Sequence, residues 1–231
     1  MDQYRVGQAK GHLLASAVAI ERQQYSRALE HAGAATNVLS QLPVERQRAH
    51  LVLADLVAGL ASARLGQSTR AHAHLESQKR RYNAQNPIEK AWVATLAGEI
   101  ALADARLEDA AAAFASAEPD ARVWLAVDAS NPMLLANDVP GRDGAARVAV
   151  ARGDLKGAIE IYRRLLANGP DAKWSPLFNP RYVLEIARLL EQLGDKTAAR
   201  AEYERFLALW KNADTGLPEL AEARRAVARF H

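Results

Sequence analysis

The hydrophobic pattern of the chain comes in pairs of helical segments joined by tight turns, and in the second segment a small residue is followed four places later by a larger apolar one, or in the first pair by a second alanine. Five copies can be traced. The clearest runs from Arg181 to Leu190, turns at Gly194-Asp195, and continues through Ala199, Tyr203 and Phe206-Leu207. Its upstream neighbour has Ala146, Gly153-Asp154, Ala158, Tyr162 and Leu165-Leu166. A third has Gly98, Arg106-Leu107, Ala110, Phe114 and Ala117, and a fourth has Gly59, Gly66, Ala71 and Leu75. The first in the chain has Ser16, Gln23, Tyr25, Ala28 and Ala32.

Each part of the pattern has a physical reason. A small residue midway along the first helix (helix A) and an alanine near the start of the second (helix B) remove bulk where the two cross, so their backbones can approach. Gly66, Gly153 and Gly194 suit the left-handed residue that ends helix A, and Asp154, Asp195 and Ser68 suit capping of helix B. Tyr203, Tyr162, Phe114 and Leu75 fill the space between a hairpin and its neighbours.

Prolines fall between the copies: Pro43, Asn86-Pro87, Asn137-Asp138-Val139-Pro140, and Gly169-Pro170 through Asn179-Pro180. The longest join, 121–138, contains Trp124, Asn131-Pro132 and Met133 and predicts an extra short helix between an N-terminal part of three hairpins, 1–120, and a C-terminal part of two, 139–231. Beyond the fifth copy, Glu219 to Phe230 places Leu220, Ala223, Val227 and Phe230 on one face. That face suits a helix capping the last hairpin.

These residues, from about Lys10 to Asp214, resemble the tetratricopeptide repeat (TPR) family. The helix B alanines, Ala28, Ala71, Ala110, Ala158 and Ala199, are spaced by 43, 39, 48 and 41 residues, against about 34 in the family. The resemblance implies an all-α fold, a right-handed α-α superhelix of about five hairpins with a C-terminal capping helix. A narrower likeness lies in Ala201 to Asp214 with Leu217-Pro218-Glu219-Leu220. This run is similar to the closing repeat of TPR regions carried by bacterial serine/threonine protein kinases and related winged-helix regulators. It implies a regulatory or sensor region, cytoplasmic or a soluble part of a larger signalling protein. No Gly-rich phosphate loop, His-Arg-Asp or Asp-Phe-Gly triplet accompanies it.

In the family, helix A builds the concave inner wall that receives a protein or peptide segment. Carried over, the exposed wall positions are Leu13 and Ala17, then Leu56, Leu60 and Arg64, then Trp92, Thr95 and Glu99, then Arg147, Leu184 and Arg188. The apolar first part suits an amphipathic helix or extended segment, and Arg147 and Arg188 suit carboxylates. Relatives that clamp acidic chaperone tails use lysine with asparagine on this wall, and no asparagine stands at these positions.

Composition narrows the chemistry. Alanine, leucine and arginine dominate and Val, Ile and Thr are sparse, as closely packed helices require. With no cysteine there is no disulfide and no thiol nucleophile. The charge is nearly balanced, 30 basic against 27 acidic residues, which disfavours a phosphate backbone as ligand. No segment reaches the roughly 18 apolar residues of a membrane span. His72 and His74, two apart, point to different sides of a helix, and Gly-x-Ser-x-Gly is absent. Lys79-Arg80-Arg81-Tyr82 is the strongest basic cluster and reads as compensation of a helix C-terminus. His12, His31, His50 and His231 have no ligand-type neighbours at i+3 or i+4, so the expectation is a non-catalytic module with no cofactor and no metal site. A single-stranded RNA reader and a homo-oligomeric scaffold are the competing classes.

Overall fold

A computed structural model describes residues 2–117, 142–167, 175–214 and 216–230, the side chains of 175–179 apart. The described residues form eleven α-helices and no strand: α1 (Asp2–Glu21), α2 (Tyr25–Leu39), α3 (Val44–Arg64), α4 (Ser68–Arg81), α5 (Pro87–Ala103), α6 (Leu107–Ala117), α7 (Gly144–Ala151), α8 (Leu155–Ala167), α9 (Ser175–Gln192), α10 (Lys196–Leu209) and α11 (Pro218–Arg229). They divide into two compact units, 1–144 and 145–231. The expected irregular join at 121–138 lies outside the described residues, as does Gly169-Pro170.

One turn recurs five times. α1–α2, α3–α4, α5–α6, α7–α8 and α9–α10 are each joined by three residues. In each, one residue has positive φ: Gln23 (57°), Gly66 (70°), Ala105 (58°), Gly153 (79°) and Gly194 (81°). The next residue donates its N–H to the carbonyl five back, as in Gln67 to Ser62 at 2.9 Å and Asp195 to Leu190 at 3.0 Å. The left-handed residue itself bonds three back, so orphan carbonyls at the end of helix A are satisfied as in a Schellman motif. Five residues beyond each left-handed position stands the alanine of helix B. Ala28, Ala71, Ala110, Ala158 and Ala199 are all fully buried.

The capping chemistry differs from turn to turn. Asp195 accepts from the Ala198 N–H at 3.0 Å and Asp154 from the Gly157 N–H at 2.9 Å, as their side chains predict. Ser68 does not cap α4: it is the first helical residue, and its hydroxyl donates to Asp104 at 2.9 Å. Pro180 also departs from expectation, lying inside α9 rather than before it. As the sixth residue, it removes only one backbone bond, near the helix start.

In the first unit α1 packs on α2, α3 on α4 and α5 on α6, while α3 also touches α1 and α2, and α5 touches α3 and α4. Helix α3 is thus surrounded, and 52–63 are buried except for half-buried Asp55. Glycines mark two close approaches. A Cβ on Gly59 would lie 2.6 Å from Leu96, and one on Gly98 would lie 2.8 Å from Phe114.

The loop before α5 is fixed by side chains. Asn86 caps α5, accepting from the N–H groups of Ile88 at 3.0 Å and Glu89 at 3.4 Å, with Pro87 at the first helical position. Glu89 is buried and takes a fork from Arg48 (2.7 and 3.1 Å) and the Asn83 N–H (2.6 Å), while Arg48 also donates to the Arg81 carbonyl at the end of α4 (3.1 Å).

In the second unit Ala146 and Ala149 of α7 share one core with Ala158 and Tyr162 of α8 and with residues of α9, α10 and α11. The Tyr162 and Tyr182 rings are 5.6 Å apart, and those of Phe206 and Trp210 are 5.0 Å apart. α11 covers α10 with Leu220, Ala223 and Ala226 buried, and Val227 and Phe230 pack at the core's edge. It therefore shields an apolar flank that would otherwise meet water. No helix among the described residues is long and apolar enough to cross a membrane.

Candidate functional site

The wall carried over from the resemblance is less open than expected. Leu56, Leu60, Trp92, Thr95, Glu99 and Leu184 are buried, as are Leu13 and Ala17. Helix A of each hairpin in the first unit is flanked by its own helix B and by neighbouring hairpins, so its apolar positions turn into a core rather than into a groove. Arg64, Arg147 and Arg188 keep partial exposure.

Two of these arginines are engaged in the same way. Arg64 reaches from α3 to α5, donating to Glu99 through Nε (2.8 Å) and Nη2 (3.0 Å). In the second unit Arg188 of α9 holds Glu222 of α11 through Nε (2.7 Å) and Nη2 (2.6 Å), and its Nη1 donates to Glu185 at 2.7 Å. The bond to Glu222 raises the Arg188 pKa above its usual value, and the same bond lowers that of Glu222. Paired forks of this kind fix direction as well as distance, so these arginines act as pins between helices.

Next to the second pin, Tyr203 donates to Glu191 at 2.9 Å, and Arg229 bonds the same carboxylate at 2.8 Å. Burial, then the bond to Glu191, pushes the Tyr203 phenol up from its ordinary value. The hydroxyl is held as a proton donor. A phenolate there would face a carboxylate.

The other polar clusters also join helices. Asp55 of α3 takes bonds from three residues of α4: His74 Nδ1 (3.1 Å), Ser77 (2.8 Å) and Arg81 (2.8 Å), and Arg81 also contacts the Ser77 hydroxyl. Asp104, just after α5, takes Ser68 (2.9 Å) and His72 Nε2 (3.3 Å) from α4. The Ser68 bond leads in holding the Asp104 carboxyl below its usual range. Ser68 and His72 thus end on the same carboxylate, and the imidazole does not stand between serine and acid, so this group does not activate a serine. His72 and His74 diverge to different acids, as their spacing predicts.

In the basic cluster, Lys79 pairs with Glu76 at 2.9 Å and Arg81 with Asp55 at 2.8 Å, both in the last turn of α4. There they also face the negative end of the helix dipole.

Two features were not anticipated from the sequence. The exposed residues of α1 are Gln3, Tyr4, Gly7, Gln8, Gly11, Leu14 and Val18, a face without charge, whereas α2 exposes Arg27 and Glu30. The spacing of Tyr4, Gly7, Gly11, Leu14 and Val18 was a readable signal. The second feature is a ring contact between His12 of α1 and His31 of α2, with centroids 5.9 Å apart. These histidines are 19 positions apart in the chain, and only the register of the first hairpin brings them together.

Set against protein-family models, curated proteins and solved structures, the chain matches none.

Proposed function

We propose that the chain is a non-catalytic, TPR-like interaction module, a right-handed array of helical hairpins that holds a peptide or protein segment. The supporting observation is the five-fold recurrence of one hairpin turn with one buried alanine in the same register, the organisation of a repeat protein whose units serve as a binding surface. Among the described residues the polar clusters join helices within each unit, which supports a reading in which the module offers a surface. The run from Ala201 to Leu220 further suggests the regulatory or sensor part of a bacterial signalling protein.

On the carried-over wall, Arg147 keeps partial exposure, and we assign it to a carboxylate of the partner. Selection from a displayed library of random peptides tests this reading. A consensus is expected to be enriched on the wild-type chain and lost on a folded Arg147→Glu variant. No enrichment, with salt-sensitive retention of single-stranded RNA on a filter instead, would favour the nucleic-acid class.

A further inference from the structure

We propose that His12 and His31 form a two-ligand site for a divalent transition-metal ion, made by the first hairpin. The two rings, one from α1 and one from α2, have centroids 5.9 Å apart and planes inclined by 35°. An ion bonded at about 2.0–2.1 Å to a nitrogen of each ring sets the two nitrogens no more than about 4 Å apart. A centroid separation of 5.9 Å is compatible with that limit once each ring turns a nitrogen toward the other.

The state of the nitrogens separates this pair from the other described histidines. His72 and His74 each spend a ring nitrogen on an aspartate. His50 is partly buried beside the charge of Lys10. His12 and His31 make no hydrogen bond to another described side chain or to the backbone, and both are half-buried, hence reachable from solvent. Lone pairs that are uncommitted, adjacent and accessible are what a borderline ion such as Zn²⁺, Ni²⁺ or Cu²⁺ needs from imidazole.

Among the described residues no group of three or more His, Cys, Asp or Glu gathers to hold a metal. Water would therefore complete the coordination, giving an open site of modest affinity. Because the rings meet only when α1 and α2 are paired, the ion binds the folded hairpin in preference to the unfolded chain and raises its melting temperature.

Calorimetric titration of the untagged chain with Zn²⁺ tests the site. One ion per chain is expected, with affinity falling at least tenfold in His12→Ala and in His31→Ala, and unchanged in His72→Ala and His74→Ala. Circular dichroism of each variant separates loss of binding from loss of fold. On the wild-type chain alone, one equivalent of Cu²⁺ is expected to show two imidazole nitrogens in its electron paramagnetic resonance spectrum. Absence of saturable Zn²⁺ binding, undiminished binding in a folded His12→Ala or His31→Ala, or fewer than two coupled nitrogens would each overturn the proposal.

Discussion

Arg64 and Glu99 are joined by two hydrogen bonds across 35 residues of chain, and the Glu99 carboxylate is buried. Removing the cation leaves that carboxylate in a low-dielectric site without its main partner. Arg64→Ala is expected to cost about 3–5 kcal/mol, whereas Arg64→Met with Glu99→Met, which removes both charges, is expected to cost less. Urea denaturation of the single and double variants gives the comparison. A double variant no better than Arg64→Ala would show that the fork is not the main interaction there.

Ala105 and Gln23 occupy left-handed backbone that glycine fills at the equivalent places in three other hairpins. A Cβ in that region costs about 1–2 kcal/mol, partly offset by glycine's larger entropy loss on folding. Ala105→Gly is therefore expected to stabilise the chain by up to about 1 kcal/mol, and Gly194→Ala to destabilise it by a similar amount. Thermal melts of the two variants should move in opposite directions.

Tyr203 contributes a buried ring and a bonded hydroxyl. Tyr203→Ala is expected to cost about 3–5 kcal/mol by opening a cavity, and Tyr203→Phe about 1 kcal/mol through the lost bond to Glu191. The raised phenol also gives a signature in alkali. Its pKa is higher in the folded chain than in the unfolded one, so its contribution is complete below the ordinary tyrosine value and lost as pH rises through the folded value. Stability of Tyr203→Phe should fall less than that of wild type over that window.

His50 acts in the opposite pH range. Burial, and then the charge of Lys10, lowers its pKa in the folded chain, against a bond to the backbone of Arg46 that raises it. The unfolded chain takes up the proton first, so the first unit loses stability as pH falls below the ordinary imidazole value and on through the folded value. His50→Gln should flatten this acid limb in denaturation curves at pH 7, 6 and 5. An unchanged limb would assign the acid sensitivity to other groups.

What was legible in the sequence follows from how local each determinant is. Gly66, Gly153 and Gly194 announce their turns because the left-handed conformation selects glycine within a few residues of sequence. Gln23 and Ala105 adopt the same geometry without that signal, and only the buried alanines five residues on give their register. The pins were harder to find because each joins residues far apart in sequence. Their separations, 35 residues for Arg64 with Glu99 and 34 for Arg188 with Glu222, were nonetheless a readable spacing for an arginine and a glutamate. The wall positions carried over from the resemblance are buried at Leu13, Ala17, Leu56, Leu60, Trp92, Thr95, Glu99 and Leu184, because a repeat register places a residue on helix A without saying how many neighbouring helices cover it.

The constancy of the hairpin turn decides where this chain tolerates changes of length. One residue inserted between Gly194 and Ala199 would rotate the rest of α10 by about 100° and carry Ala199, Tyr203 and Phe206 out of the core together. The described joins between hairpins, 40–43 and 82–86, lie outside the helices, and residues added to a loop cost an amount that grows slowly with its length. Added residues are thus expected to be tolerated better in the joins, for example between the exposed Ser40 and Gln41.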